Sequence, residues 1–407
     1  MAARVFQRDE QEFLRICAMA APDWAALRGM ATGQFNWDYL RTTALAHQLG
    51  GVVPWRLLDE RMDGVAPNIV RDDCQQYLDY LDGAGAIWRA KAQVALAPLV
   101  AAGIPYVDVG SRPCYALLGM DHWPREWDDI DVYIPSARWY DAQAALGPAT
   151  PGVGSYFIFE RENPDDLKME ILSRPPEFDR FPEGLSGWHR LFENARTYTL
   201  CGGASPVPEP ELWLWVLARR TYDSISCMGA PLPLWALARL ANVTALPGFS
   251  WEKLLAHMQD WHTRHIALRK VLEAMAKDEI PYHCQGDLFE ASAPARMPLT
   301  VLAWTEEAYP GTVPESFFEQ ARAEFGSEWA SIWGCRGPDT GPRERIFCLW
   351  DQPPTLEEWL FDAYGIQDAE ARIAAGWWRL VDGATWEKTT ELPWYAQHLR
   401  EKIKAPE

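Results

Sequence analysis

The chain has 407 residues, of which 48% are hydrophobic, and this is enough for roughly two or three buried cores. Its 57 acidic residues outnumber its 38 Lys and Arg residues, so the formal net charge is −19. Because binding to a long nucleic acid draws much of its affinity from Lys and Arg at the phosphates, this charge disfavours DNA or RNA as a partner. A small molecule or a protein fits better, and a cationic one would be attracted electrostatically.

Neither a membrane span nor a secretory signal is indicated by the sequence. No window approaches the roughly 20 uninterrupted apolar residues that a span requires. Residues 1–12 contain several charged side chains before any apolar run, which is not the pattern of a secretory signal. The 8 cysteines include no Cys-x-x-Cys pair, which favours reduced, mostly buried thiols over a structural zinc site. We therefore expect a cytoplasmic protein without a membrane partner.

Three regions are predicted along the chain, and together they indicate an α+β fold. Residues 1–95 have helical periodicity, interrupted by breaks such as Gly50–Gly51. Residues 96–205 contain the strand-like patterns and predict a small mixed sheet. The Gly- and Pro-rich segment 201–208 is interpreted as the joint at which the sheet region ends. Residues 206–407 are predicted to be mainly helical up to the end of the chain.

The first strand-like pattern, Tyr106–Val109, leads into a Gly110–Ser111 turn and a helix that begins near Pro113. A turn of this kind directs backbone N–H groups and one hydroxyl toward the same point, where phosphate oxygens can bind. Proline suits the first helical turn because its missing N–H is not needed there. An ordinary turn between a strand and a helix has the same pattern, so the turn alone leaves both interpretations open.

An acidic strand follows, in which Asp129 and Asp131 alternate with Ile130, Val132 and Ile134. Because successive strand side chains alternate between faces, we expect the apolar side chains in a core and both carboxylates on the solvent-facing side. Two neighbouring carboxylates repel unless a cation lies between them, and Mg²⁺ prefers such oxygen ligands. A merely acidic strand face is the alternative for an isolated Asp-x-Asp. The pattern makes phosphoryl or nucleotidyl transfer the first reaction class to test.

A hairpin is predicted next, because the strand patterns Tyr156–Phe159 and Leu167–Leu172 flank the turn residues Asn163–Asp166. In the second strand Glu170 lies on the face opposite to the apolar side chains. Its carboxylate could complete a metal site of three acids. It could equally be a solvated strand residue.

In combination, these patterns resemble the bacterial nucleotidyltransferase-like family of the DNA polymerase beta nucleotidyltransferase superfamily. Gly110–Ser111 stands where the family has a Lys-Gly pair before a helix, and Arg125 lies four residues before Asp129, as the family pattern requires. Segments 209–217 and 249–255 resemble the helices that follow the family's sheet, and segment 354–379 resembles its closing helices. Aminoglycoside nucleotidyltransferases share the Arg-x-x-x-Asp-x-Asp arrangement and are a competing resemblance.

The resemblance implies the transfer of a nucleoside monophosphate from a nucleoside triphosphate to a small-molecule or protein acceptor. Asp129, Asp131 and Glu170 would be the catalytic carboxylates and the ligands of two Mg²⁺ ions. A non-catalytic scaffold or binding protein that retains the nucleotidyltransferase fold is the alternative.

The same resemblance assigns the triphosphate to Gly110, Ser111, Arg112 and Arg125. The family's Lys is replaced by Gly110, and its frequent His after the third acid is replaced by Leu172. Neutralisation of the phosphates would then depend on Arg112, on Arg125 or on a residue from elsewhere in the chain.

Two further features leave alternatives open. The 22 tryptophans, among them Trp213 and Trp215, are interpreted mainly as core residues, although Trp127 beside the acidic strand could stack on a base. The pair Arg219–Arg220 closes an apolar helical pattern. It could complement the end of that helix or reach the triphosphate, and the sequence favours neither.

Overall fold

The computed structural model describes part of the chain. Its residues are 8–32, 35–110, 112–120, 122–124, 130–147, 150–151, 157–159, 169–171, 188–200, 203–226, 232–260, 296–325, 377–380 and 386–389. Within them the fold is mixed α and β, mostly helical with small sheets, which confirms the predicted class in these coarse features.

In its described part the N-terminal region consists mainly of helices, as the periodicity predicts. Two of them begin at residues whose side chains bind the first helical turn. Asp23 accepts a hydrogen bond from the Ala26 amide, and Asn36 accepts one from the Tyr39 amide, each at 3.0 Å. The helices are α1 Asp9–Cys17, α2 Trp24–Met30, α3 Trp37–Ala46, α4 Val52–Leu58 and α5 Asn68–Ala101.

Helix α5 crosses the predicted boundary between residues 95 and 96 without a break. Its 34 residues end only at Ala101, followed by Gly103 in the left-handed conformation with a φ of 62°. The segment around residue 95 is rich in Ala and Leu, which favour helix. The N-terminal helical region and the sheet region are therefore connected by one continuous helix.

A mixed sheet of five strands follows, in the order β1-β2-β5-β4-β3. Strands β2 and β5 are parallel, whereas the other neighbours are antiparallel. The pairing of β4 with β5 confirms the predicted hairpin, although its turn lies outside the described residues. The strands are β1 Val107–Asp108, β2 Ile130–Tyr133, β3 Thr150–Pro151, β4 Phe157–Phe159 and β5 Met169–Ile171, and the helices between them are α6 Arg112–Ala116 and α7 Trp139–Leu146.

One face of this sheet packs in a core with α5. Ile130, Val132 and Ile134 are buried there, as the alternation in the acidic strand predicts. Met169 and Ile171 of β5 enter the same core. The opposite face of β2 and β5 carries the acidic side chains.

Most of the segment 201–208, which is interpreted as the joint at which the sheet region ends, belongs to a strand. Strand β6 Arg196–Leu200 pairs antiparallel with β7 Gly203–Val207, so the predicted boundary at residue 205 falls inside a strand. Pro206 is tolerated because each strand of a two-stranded sheet has one edge that needs no ladder hydrogen bonds. Gly203 and Pro206 therefore lie in a paired strand.

The C-terminal region is mainly helical in its described part, with one correction. Residues 377–380 and 386–389 form an antiparallel hairpin, so the closing helix predicted to include Trp377, Trp378 and Arg379 is wrong. Aromatic residues and Thr favour strands, and an Asp-Gly sequence such as that at 382–383 favours a hairpin turn. The helices are α8 Pro210–Ser226 and α9 Leu234–Thr244, then 251–260, Arg296–Ala308 and Glu315–Phe325.

All three tryptophans of α8 and α9 are core residues. Trp213 and Trp235 are fully buried, and Trp215 is nearly so. This agrees with their interpretation as core residues, whereas Trp127 lies outside the described residues. None of the helices described above is both long and apolar enough to cross a membrane.

Gly85 provides the first test of this packing. A Cβ at this position would lie 2.3 Å from Cγ and 2.4 Å from Cδ2 of Trp123, whose ring packs directly on α5. We expect Gly85→Ala to lower the free energy of unfolding by about 1–3 kcal/mol in urea denaturation, since a rigid ring and a helix must move apart. Gly29→Ala is the matched control, because Gly29 is helical with no atom within 4 Å of its added Cβ. It should be neutral or stabilising by up to about 1 kcal/mol; equal losses would contradict this packing.

His47 provides a second test, which depends on pH. It is fully buried, its Nδ1 accepts a hydrogen bond from the Leu234 amide at 2.9 Å, and burial lowers its pKa from 6.5 to about 3. Between these two pH values the unfolded chain binds a proton at His47 that the folded chain does not. The folded state therefore loses stability as the pH falls below 6.5.

We expect His47 to contribute a loss of about 2 kcal/mol in unfolding free energy between neutral pH and pH 5. His47→Asn keeps a side-chain acceptor but does not titrate, so its stability should fall less over this range. Urea denaturation of both proteins at each pH measures the difference. Parallel pH profiles for the two proteins would show that His47 does not titrate as its burial requires.

Candidate functional site

Two of the three predicted carboxylates are neighbours across the sheet. Asp131 of β2 is paired in register with Glu170 of the parallel strand β5. Paired residues of adjacent strands present their side chains on the same face, about 5 Å apart at the backbone. Asp129, the third predicted acid, lies outside the described residues, as do Ser111 and Arg125.

This acidic face is not solvent-facing, so that part of the prediction is wrong. Asp131 is only 5% exposed and Glu170 only 8% exposed. The reason is that later parts of the chain contribute side chains to this end of the sheet, among them Arg220 of α8. Burial in a low-dielectric environment makes every unneutralised charge here costly.

Arg220 supplies a countercharge to Asp131. Its Nη1 donates to Asp131 Oδ2 at 2.6 Å and to the backbone oxygen of Val109 at 3.3 Å. This contact with the acidic strand is neither of the two roles that the sequence left open for the Arg219–Arg220 pair. The contact joins residues that are 89 positions apart in sequence.

The second carboxylate oxygen of Asp131 has no such contact. Oδ1 is buried and accepts no hydrogen bond from any residue in the described ranges. A buried acceptor without a donor costs free energy, and such atoms in folded proteins call for a specific explanation. A bound cation would satisfy this oxygen, and carboxylate oxygens are the ligands that Mg²⁺ prefers.

Asp108 of β1 is a third buried acid of the site, and the sequence reasoning missed it. Its Oδ1 accepts the Gly110 amide hydrogen bond at 3.0 Å, and its Oδ2 forms an ion pair with the guanidinium of Arg112. The same guanidinium donates to Ser205 Oγ at 2.7 Å and lies 4.7 Å from the ring centroid of Trp88. An Asp in an otherwise apolar strand, with an Arg four positions later, was the available signal.

The pKa of Asp108 is under opposing influences. Its burial raises the pKa of the carboxyl above the ordinary range, and the negative charge of Asp131 acts in the same direction. The guanidinium of Arg112 and the Gly110 N–H oppose this rise. Asp108 is thus an acid whose charge depends on Arg112.

Gly110 is closely packed against both acids. A Cβ on Gly110 would lie 3.3 Å from Asp108 Oδ1 and 3.3 Å from Asp131 Oδ2, so a side chain at this position would crowd both carboxylates. Two predicted phosphate ligands, the Gly110 N–H and the Arg112 guanidinium, both contact Asp108. Phosphate oxygens could bind these groups only in exchange for that carboxylate or beside it.

Among the described residues, no three His, Cys, Asp or Glu side chains are grouped so that they could hold a metal ion. Asp131 and Glu170 are two members of the predicted set. The prediction that Asp129 joins them concerns a residue outside the described ranges.

Neither a protein-family model, nor a curated protein, nor a solved structure matches this chain.

The Asp108–Arg112 pair gives a testable consequence. Asp108→Ala leaves a buried guanidinium without its carboxylate, so we expect the free energy of unfolding to fall by about 3–5 kcal/mol. Arg112→Met combined with Asp108→Ala should recover part of that loss, because neither charge is then left unpaired. Ser205→Ala removes only one neutral hydrogen-bond partner and should cost about 1 kcal/mol. Additive effects of Asp108→Ala and Arg112→Met in urea denaturation would exclude the ion pair as the source of stability.

Proposed function

We propose that the chain is a Mg²⁺-dependent nucleotidyltransferase, which transfers a nucleoside monophosphate from a nucleoside triphosphate to a small-molecule or protein acceptor. One observation carries the proposal. Asp131 and Glu170 are buried side by side on parallel strands, and Asp131 Oδ1 accepts no hydrogen bond from the described residues. Two buried carboxylates in such positions are suited to a shared cation.

The donor set fits Mg²⁺, because all of its groups are hard carboxylate oxygens. Asp131 and Glu170, together with Asp129, would hold two such ions. When bound, the ions would supply positive charge to the reacting phosphate and to the acceptor oxygen. The remaining work of the chain is positioning and charge stabilisation, which carry most phosphoryl-type transfers.

Individual residues then have separate tasks. Asp129 and Asp131 would orient the triphosphate through the metal, and Glu170 would also help to accept the proton of the acceptor hydroxyl. Gly110, Ser111, Arg112 and Arg125 are proposed to bind the distal phosphates. The formal charge of −19 favours a cationic acceptor over a nucleic acid.

A second candidate is a non-catalytic scaffold or binding protein with the same fold. One observation favours it: Asp108 and Asp131 are each already paired with an arginine, so part of the site is neutral without any ligand. A thermal-shift titration with Mg²⁺ and each nucleoside triphosphate separates the two candidates. Metal-dependent stabilisation by a triphosphate supports the enzyme, whereas no shift at millimolar ligand supports the scaffold.

Substitutions of the two described acids, Asp131 and Glu170, test the proposed enzymatic activity. With labelled triphosphate, Mg²⁺ and a cell extract as the source of acceptor, Glu170→Gln should lower turnover at least about 100-fold but leave nucleotide binding nearly unchanged. Asp131→Asn should abolish Mg²⁺-dependent nucleotide binding or turnover, because it removes a ligand charge.

Asp72→Asn is the control, since Asp72 is an exposed acid of α5. It should retain wild-type turnover, and circular dichroism should show that all three variants are folded. Wild-type turnover in both Asp131→Asn and Glu170→Gln would rule out the proposed metal site.

A further inference from the structure

Arg220 combines two properties that bear on how a cation could reach the site. Its guanidinium contacts a buried carboxylate, yet its own side chain is 30% exposed, against 6% for Asp131. It therefore approaches Asp131 from the side that retains access to water. The other arginine of the site differs, because Arg112 is only 11% exposed and is held by Asp108 and by Ser205.

The position of Arg220 is that of a countercharge to Asp131. Its Nη1 lies 2.6 Å from Oδ2, which is a hydrogen-bonding distance for a guanidinium and a carboxylate. A divalent cation bound to the same carboxylate would repel the guanidinium strongly, because both charges would lie within a few ångströms in a partly buried site. Simultaneous binding of the Arg220 guanidinium and Mg²⁺ to the Asp131 carboxylate is therefore electrostatically unfavourable.

We propose that Arg220 neutralises Asp131 while the chain is metal-free, that Mg²⁺ displaces its guanidinium, and that the displaced guanidinium then binds the triphosphate. The last step rests on the proposed function, whereas the competition between Arg220 and Mg²⁺ rests on the ion pair itself. Arg220 thereby weakens metal binding in the absence of nucleotide and strengthens nucleotide binding once metal is present. An arginine that only stabilises the fold would do neither.

The test uses Mg²⁺ alone, titrated into the full chain by isothermal titration calorimetry. Arg220→Met should bind Mg²⁺ at least about tenfold more tightly than the wild type, because the competing charge is removed. Arg219→Met is a matched control, since it removes the same charge from the neighbouring residue of α8. Its Mg²⁺ affinity should stay within about twofold of the wild type, because the ion pair with Asp131 Oδ2 is formed by Arg220.

A second variant covers the case in which Arg220→Met does not fold. Arg220→Gln keeps an N–H donor near Asp131 and loses only the positive charge, so its Mg²⁺ affinity should rise as well. Thermal unfolding without metal identifies folded variants. The proposed competition between Arg220 and Mg²⁺ would be contradicted if the folded Arg220 variant bound Mg²⁺ no more tightly than the wild type. It would also be contradicted if neither the wild type nor the variant bound Mg²⁺.

An inorganic polyphosphate, which has no nucleoside, tests the step in which the displaced Arg220 binds the triphosphate. With saturating Mg²⁺, inorganic tripolyphosphate should bind the Arg220 variant at least about tenfold more weakly than it binds wild type or Arg219→Met. Equal affinities would overturn the step in which Arg220 binds phosphate. Both titrations are independent of turnover. If Arg220 behaves as proposed and no triphosphate is turned over, the cation exchange stands and the nucleotidyltransferase proposal fails.

Discussion

The ion pair between Asp131 and Arg220 is the interaction on which the arrangement of the site depends. A buried carboxylate needs a countercharge, and here it comes from a helix far along the chain. Helix α8 can supply it because most of its apolar side chains, including Leu212, Trp213 and Leu217, are fully or almost fully buried. The hydrophobic packing of α8 thus determines where a single positive charge meets the acidic strand.

In the described part of the site, the positive charges of two arginines partly neutralise the negative charges of the buried acids. Asp108 and Asp131 each have an arginine, and Glu170 adds a further buried carboxylate beside them. Such a balance stabilises a folded chain without ligand, at the cost of competing with any cation or phosphate that binds. The same contacts therefore explain why an enzyme and a binding scaffold both remain consistent with this geometry, and why metal binding is the property that separates them.

Local patterns in the sequence predicted much of this arrangement. The alternation around Ile130 and Val132 predicted the buried strand, and the pattern around Glu170 predicted the hairpin strand that lies beside it. The burial of the acids could not be predicted in this way, because it depends on Arg220 and on other residues distant in sequence. The Asp108–Arg112 pair spans a strand, a turn and a short helix, so no single periodicity reveals it. The strands at 203–207 and 377–380 were missed because Gly, Pro and Trp are compatible with more than one structure.

We propose that Asp131 and Glu170 hold a divalent metal ion. The most direct measurement is the anomalous scattering of Mn²⁺, used in place of Mg²⁺, in crystals of the full chain soaked with a non-hydrolysable nucleoside triphosphate. We predict an anomalous peak about 2.1 Å from Asp131 Oδ1, at a position where the Mn²⁺ ion is also bound by the Glu170 carboxylate. A crystal in which Mn²⁺ binds elsewhere, or binds nowhere while the nucleotide is present, would contradict the claim.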